Sequence, residues 1–87
     1  MKNFCAKILV MSKPTIKDVK SETLKEAIDC LVPLENLSCK TGSYYSIKFS
    51  ADNQREALAI VNQIAEELLS NSVVETYEVK SLEEVYE

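Results

Sequence analysis

The sequence predicts an α+β fold, a two-layer sandwich in which two helices cover one face of a mainly antiparallel sheet. Three observations support this class. Strand and helix patterns follow in the order β-α-β-β-α-β, each helical segment carries an apolar stripe, and 46% hydrophobic with 28% charged residues is typical of a globular domain. The sheet face without helices is expected to serve in oligomerisation. Enzymes, RNA binders and assembly subunits all use this fold, so function must be argued from particular residues.

The opening strand is predicted from residue 4 to residue 11, and both of its faces are mainly apolar. Because side chains alternate along a strand, one face packs against the helices and the other carries Cys5, Leu9 and Met11. This second face is covered either by another copy of the chain or by a neighbouring loop. A chain of 87 residues buries little surface alone. We therefore expect Cys5, Leu9 and Met11 to form an interface in a dimer or tetramer.

The first helix is predicted to begin between Asp18 and Ser21, since either side chain is a good N-cap, and to end before Pro33. Its apolar residues recur at helical spacing and predict a face that packs in the core. These residues, which we call the first-helix stripe, are Leu24, Ala27, Ile28 and Leu31.

The second helix is predicted from Asn53 to Leu69. Asn53 followed by Glu56 is similar to a capping box, and a continuous apolar stripe extends to the end of the segment. The helix is long enough to cover a strand from end to end.

Three further strands complete the predicted sheet. A short, weakly patterned strand is expected from Leu34 to Cys39, and a turn containing Gly42 joins it as a hairpin to a strand from Tyr44 to Phe49. The last strand is expected from Val73 to Val79. Residues 1–87 are predicted to be a single domain, with the acidic residues 82–87 as a frayed tail.

Composition excludes several classes of partner. The net charge is −4 and the basic residues are scattered, so a nucleic-acid partner is not expected. Three cysteines without any histidine do not form a zinc site, and we expect them to be free thiols in a reducing cytoplasm. No segment approaches the length of a membrane span, and no signal peptide is recognisable, so no membrane partner is expected.

The sequence offers little chemistry for catalysis. Histidine is absent, and the loop between the first strand and helix lacks the glycines and arginine of a phosphate cradle. Tyr44 and Tyr45 lack the basic neighbours of base-stacking residues, so we expect one in the core and the other on a partly covered face. No catalytic, metal or cofactor-binding residue is predicted. A stand-alone dimeric regulatory domain that binds a small molecule stays open, although the first loop lacks the glycine such domains use.

Two segments resemble the PurS family, the small subunit of phosphoribosylformylglycinamidine synthase. The first is residues 68–79, where a helix end passes through a polar corner into a strand; the second is residues 13–21, followed by residues 25–28 in the helix. The chain departs from the family at Thr15, Val19, Ser21, Ser43 and Ser72, and lysine is usual where Ser43 stands. The residues that carry the resemblance or are expected to contact partners are Lys13, Pro14, Asp18, Gly42, Asn71, Val73, Val74, Glu75 and Tyr77.

The resemblance implies a noncatalytic assembly subunit. In this family the synthetase subunit PurL forms the amidine with ATP, the glutaminase subunit PurQ releases ammonia, and PurS bridges the two for ammonia transfer in purine biosynthesis. The implied partners are therefore PurL, PurQ and further copies of the chain, without a cofactor and in the cytoplasm. The regulatory domain is the alternative.

Asn71 has two interpretations at this stage. It either adopts the left-handed conformation after the second helix, where asparagine is tolerated, or presents its amide to a partner subunit. We expect the left-handed conformation.

Overall fold

The structure, a computed structural model, describes residues 1–86 and has three strands and two helices. The elements are β1 (Lys2–Ser12), α1 (Val19–Leu31), β2 (Gly42–Ala51), α2 (Gln54–Ile64), a π-helical segment (Ala65–Leu69) that continues α2, and β3 (Glu75–Val85). The sheet has the order β2-β1-β3, and both pairings are antiparallel. The α+β class with two helices and an antiparallel sheet is confirmed.

The strand β1 is central and pairs along almost its whole length on both sides. Its register with β2 runs from Lys2 opposite Ala51 to Met11 opposite Gly42. Its register with β3 shifts between Lys7 and Ile8. The shift inserts one extra residue into β3. Side chains of β3 before and after the inserted residue therefore point to the same face of the sheet.

The core lies between the sheet and α2. We call the sheet face that α2 covers the inner face, and the opposite face the outer face. The fully buried inner cluster consists of Ala6, Ile8, Val10, Val61 and Ala65, and a second cluster consists of Phe4, Ala51 and Ala57. Because alanines stand on both sides of this contact, α2 approaches the sheet closely.

Both predicted helix starts are confirmed by their caps. The Asp18 carboxylate accepts from the backbone N–H of Lys20 at 3.1 Å, and the Asn53 amide oxygen accepts from the N–H of Glu56 at 2.9 Å. Each bond satisfies a backbone donor that the first turn leaves without a helical partner.

The short strand predicted from Leu34 to Cys39 is absent, and so is its hairpin. Residues 35 and 36 form a turn in which Asn36 adopts φ 55°, and residues 37–41 belong to neither a helix nor a strand. The segment has no alternation of polar and apolar residues strong enough to bury one face, which explains why it stays outside the sheet.

The first-helix stripe does not pack in the core, which corrects the prediction. Leu31 is 83% exposed and Leu24 is also exposed, while Ser21 is the one buried residue of α1. The helix projects from the end of the sheet and contributes to an elongated shape of 52 × 29 × 16 Å.

Helix α2 leaves part of the inner face half-covered on the β2 side. Five large apolar or aromatic residues there are neither buried nor fully exposed. We call this set the β2 trough; it consists of Tyr45, Ile47 and Phe49 on β2, and Ile60 and Ile64 on α2.

The last strand continues further than the sequence suggested. Residues 82–85, predicted as part of a frayed tail, are the end of β3, and Leu82 packs against both core clusters. Pairing with the beginning of β1 holds this segment, because Phe4 lies opposite Glu84 and Asn3 opposite Val85. Of the predicted tail, Glu87 lies outside the described residues.

Candidate functional site: one end of the sheet

The residues singled out by the family resemblance gather at one end of the sheet, where β1 ends and β2 and β3 begin. We call this region the signature end. It consists of Lys13, Pro14, Asp18, Gly42, Asn71, Val73, Val74, Glu75 and Tyr77. The antiparallel topology produces this clustering, since the strands β2 and β3 start beside the last residues of β1.

Asn71 organises the corner between the π-helical segment and β3. Its amide oxygen accepts from the N–H of Val73 at 3.1 Å, and its carbonyl accepts from the N–H groups of Val74 and Glu75 at 3.0 and 2.7 Å. The Glu75 carboxylate accepts from the Asn71 N–H at 2.8 Å. Asn71 is therefore the first residue of a tight turn stabilised by its own side chain.

The predicted left-handed conformation of Asn71 is wrong. Within residues 1–86, Asn36 is the one residue other than glycine with positive φ. The long helix ends differently, because the N–H of Ser70 donates to the carbonyl of Ala65, five residues earlier, at 3.0 Å. This π-type bond and the Ser70 hydroxyl, which donates to the same carbonyl at 3.1 Å, satisfy the helix end without a left-handed residue.

Removing the Asn71 side chain is expected to weaken this corner. Asn71→Ala leaves the N–H of Val73 without its acceptor and should lower the free energy of unfolding by about 1 kcal/mol. Asn71→Asp keeps an acceptor oxygen at the same position and should retain most of the stability. Urea unfolding midpoints of the two variants test this, and equal losses in both would contradict the turn role of the side chain.

One backbone bond joins the two signature segments. The N–H of Lys13 donates to the carbonyl of Val74 at 2.9 Å and extends the β1–β3 ladder beyond the strand. Pro14 and Val73 lie exposed on either side of it, and Val73 is 75% exposed. The signature end thus presents two apolar side chains on a backbone that hydrogen bonds hold in place.

Asp18 is the acceptor at the centre of a polar cluster on the β2 side of the signature end. The Ser21 and Thr41 hydroxyls donate to its Oδ2 at 2.7 and 3.0 Å, and the N–H of Thr41 donates to Ser21 Oγ at 2.8 Å. The hydrogen bond from Ser21 is the main reason why the pKa of Asp18 is lowered, with further help from Thr41. The cluster fixes the start of α1 against the start of β2.

We expect this cluster to contribute a pH-dependent stability. Since the folded pKa of Asp18 lies below its ordinary 3.8, the contribution is complete above that value and is lost as pH falls through the folded pKa. Asp18→Asn keeps a capping oxygen but removes the charge, so its free energy of unfolding should fall less than that of the parent between about pH 5 and pH 2. Asp52→Asn, at an exposed position before α2, is the matched control and should follow the parent. Parallel curves for Asp18→Asn and the parent would contradict this role.

Tyr77 closes the gap between β3 and α2. Its hydroxyl lies 3.2 Å from Asn62 Oδ1 and 3.0 Å from Glu66 Oε1 and donates to these acceptors. Desolvation, together with the hydrogen bond and charge of Glu66, raises the pKa of Tyr77. Sequence reasoning missed Asn62, Glu66 and Thr41. The spacing of four residues between Asn62 and Glu66 was an available signal that both lie on one side of the helix formed by α2 and the π-helical segment.

The predicted oligomer interface lies on the outer face, away from α2. Cys5 is already buried within the single chain, with its sulfur 3.7 Å from Ser46 Oγ, whereas Leu9 and Met11 are half-buried. Tyr44, directly opposite Leu9 on β2, adds an exposed aromatic ring to this patch. The structure therefore brings together Leu9, Met11 and Tyr44, while Cys5 lies further along the same face and is buried.

The signature end also borders a cavity of about 350 Å³ between the β1–α1 loop and residues 39–41. Lys13, Lys17 and Lys40 line it together with Asp18 and Glu22, so its charges are mixed.

The three cysteines are free, and no group of three His, Cys, Asp or Glu side chains within residues 1–86 could hold a metal ion. In the same residues no helix is long and apolar enough to cross a membrane.

Comparison with known proteins identifies the family. The family model of phosphoribosylformylglycinamidine (FGAM) synthase, PurS, matches residues 5–83. The phosphoribosylformylglycinamidine synthase subunit PurS of Thermotoga maritima is 32% identical over 73 residues, which is 84% of this chain and 89% of that protein.

Solved structures agree over nearly the full chain. Thermus thermophilus PurS superposes with a TM-score of 0.83 at 27% identity and covers 97% of this chain and 99% of its own. A chain in the structure of PurLQS from Thermotoga maritima superposes with a TM-score of 0.83 at 29% identity and covers 98% of this chain and 100% of its own. The resemblance found in the sequence is thereby confirmed, and the chain belongs to the PurS family of FGAM synthase.

Proposed function

We propose that this chain is the noncatalytic assembly subunit of FGAM synthase, and that it bridges the synthetase PurL and the glutaminase PurQ in the cytoplasm. The observation that carries the proposal is the likeness to a chain of the PurLQS structure, which covers 98% of this chain and the whole of that one. A likeness of this extent includes both the strand core and the signature end.

The character of the surface supports an assembly role. The signature end offers the exposed Val73 and Pro14 on a backbone fixed by the bonds of Asn71 and Lys13. Rigid apolar side chains surrounded by polar groups are typical of protein interfaces, because little entropy is lost when they bind. We propose that this end contacts a partner subunit.

Gly42 and Ser43 extend the same end toward β2. The family resemblance expects lysine where Ser43 stands, so a hydroxyl replaces a positive charge at this point. We propose that apolar contacts near Val73 carry more of the binding here than ionic contacts near Ser43.

Self-association is the second part of the proposal. Leu9, Met11 and Tyr44 give the outer face an apolar centre, while Lys48, Glu78 and Lys80 surround it with charge. We propose that this patch, together with Cys5 on the same face, contributes to a dimer or tetramer.

Reconstitution tests the bridge directly. The purified chain should hydrolyse neither glutamine nor ATP, yet it should restore glutamine-dependent synthesis to a mixture of PurL and PurQ. Ammonia-dependent synthesis by PurL alone should need it much less, because a bridge matters only when ammonia moves between subunits. Equal dependence with glutamine and with ammonia would contradict the bridging role.

A matched pair of valine variants locates the contact. Val73 and Val19 are 75% and 71% exposed, but Val73 lies at the signature end and Val19 in the first turn of α1. Val73→Asp should weaken capture of PurL or PurQ by at least tenfold, whereas Val19→Asp should not. Retained capture by Val73→Asp would remove the signature end from the interface. If the chain bound a small metabolite and neither subunit, the regulatory alternative would replace the proposal.

A further inference from the structure

We propose that the cavity beside the β1–α1 loop binds the phosphate group of a small organic phosphate, and that Lys13, Lys17 and Lys40 hold this group. We call this space the lysine cavity. The proposal goes beyond the bridging role, because it gives the chain a small ligand in addition to its partner subunits. Neither property depends on the other.

The three lysines come from two segments that the fold brings together. Lys13 and Lys17 lie between β1 and α1, and Lys40 lies just before β2. Within residues 1–86 none of their ammonium groups pairs with a carboxylate, whereas Lys80 pairs with Glu78 at 2.9 Å. Like charges around one concave space repel one another, so a bound anion relieves this repulsion.

The carboxylates at the cavity leave an excess of positive charge. Both oxygens of Asp18 already accept hydrogen bonds, from the backbone of Lys20 and from the hydroxyls of Ser21 and Thr41. Glu22 is exposed in the first turn of α1. Three lysines against two carboxylates leave one positive charge here, in a chain whose net charge is −4. The cavity is therefore a positive region on an acidic protein, which favours an anionic ligand.

Hydrogen bonds position the two segments that carry the lysines. The N–H of Lys13 donates to the carbonyl of Val74 at 2.9 Å. The residue after Lys40 is Thr41, whose N–H donates to Ser21 Oγ at 2.8 Å. The backbone on both sides of the cavity is thus held before a ligand binds. The lysine side chains are the part that has to become ordered, which limits the entropic cost of binding.

The donors around the cavity suit a phosphate group better than a carboxylate. Ser12 and Thr15 also line the cavity, and in the described part of the chain their hydroxyls make no hydrogen bond. A phosphate monoester has three terminal oxygens and nearly two negative charges at neutral pH, whereas a carboxylate has two oxygens and one charge. Lysine is a common ligand of phosphate. The β1–α1 loop has no glycine to bring backbone N–H groups close to the anion, so side chains supply the donors.

The volume indicates a small ligand. At about 350 Å³, the lysine cavity lies near the lower end of the range of about 300 to 1,000 Å³ that is usual for small-molecule sites. Met11, Pro14 and Ile16 add apolar surface beside the charged groups. This surface suits the carbon skeleton of a sugar phosphate. We therefore expect an organic phosphate to bind more tightly than inorganic phosphate.

Calorimetric titration of the purified chain tests the class of ligand. Ribose 5-phosphate should show saturable binding below about 1 mM, the upper end of ordinary affinities for metabolites. Inorganic phosphate and succinate, a dicarboxylate with two charges, should bind more weakly. Ribose has no phosphate group and should not bind.

A matched pair of lysine variants locates the ligand. Lys17 and Lys25 are both exposed, but Lys25 lies on α1 outside the lysine cavity. Lys17→Gln should raise the dissociation constant of ribose 5-phosphate about fivefold or more, because a charged hydrogen bond to the phosphate is lost. Lys25→Gln removes the same charge and should leave the dissociation constant unchanged. Without ligand, both variants should melt at the temperature of the parent.

The cysteines supply a second readout that does not depend on lysine substitutions. Cys39 lines the lysine cavity and is half-buried, whereas Cys30 is exposed on α1 outside it. At ten times its dissociation constant, ribose 5-phosphate should slow alkylation of Cys39 by iodoacetamide about threefold or more, because few molecules then have an empty cavity. The rate at Cys30 should not change. Mass spectrometry of the peptides measures both rates in one sample.

Several results would overturn the proposal. These are the absence of saturable binding of ribose 5-phosphate, equal affinities of Lys17→Gln and Lys25→Gln for it, and alkylation of Cys39 that the ligand does not slow. Tighter binding of succinate or of inorganic phosphate would also overturn it, since the ligand would then not be an organic phosphate. The chain is tested alone, so a failed reconstitution with PurL and PurQ would leave these results unaffected.

Discussion

Val61→Asp is expected to unfold the protein. Val61 is completely buried between α2 and the sheet, in the cluster that includes Ile8 and Val10. An unpaired charge placed there costs about 3 to 5 kcal/mol, and a domain of this size has a total stability of about 4 to 13 kcal/mol. The loss thus removes a large share of the total. Thermal unfolding followed by circular dichroism should show no cooperative transition, or a midpoint lowered by well over ten degrees.

Leu68→Asp is the control, because it introduces the same charged side chain at an exposed position. Leu68 is 80% exposed in the π-helical segment that continues α2, so an aspartate there stays hydrated. Its midpoint should stay near that of the parent. A folded Val61→Asp protein with a parent-like midpoint would show that α2 does not pack on the sheet as described.

Gly42→Val is expected to have the next largest effect. A Cβ at this position would lie 2.5 Å from the carbonyl oxygen of Val10 and 2.9 Å from Met11 Cγ. Because the first of these neighbours is backbone, relief requires β2 to move away from β1 where the sheet ends. We expect a loss of about 2 to 3 kcal/mol in the free energy of unfolding.

Ser43→Val is the matched control for Gly42→Val. Ser43 is the next residue of β2, is exposed, and gains a side chain that suits a strand. Urea unfolding of the two variants should separate them clearly. Equal stabilities would show that the close approach at Gly42 carries no cost.

Local patterns predicted the helices and their starts well. The caps at Asp18 and Asn53 depend on side chains within three residues of the bonds they make, so sequence alone contains the necessary information. The central strand was equally clear, because β1 is apolar on both faces. These features follow from short-range chemistry.

Longer-range features were not predictable in the same way. The stripe of α1 was read as core, since periodicity shows that a face is apolar but not which molecule covers it. Residues 82–85 were assigned to a tail because they are acidic, although pairing with β1 and the packing of Leu82 hold them in the sheet. Tertiary pairing overrides composition in such segments.

The sequence proposed which residues belong to the candidate site, but it did not predict how they are arranged. The family resemblance selected Lys13, Asn71 and Glu75, and the structure places them at one corner. The left-handed conformation predicted for Asn71 was wrong because the residue types do not show that the helix ends in a π-type turn. Asn71 instead forms a turn with its own side chain, which is common for asparagine.

The pairing of β1 with β3 makes two strands that are far apart in the sequence interdependent during synthesis. Asn3 leaves the ribosome well before its partner Val85, because all of α1, β2 and α2 is made between them. At roughly 5 to 20 residues per second, residues 52–85 take about 2 to 7 s to be made after β2 is complete. For that time one edge of β1 has no strand beside it, and apolar edges of this kind readily join the wrong chain. Slowing translation within α2 should therefore increase aggregation, even though every finished molecule has the same sequence.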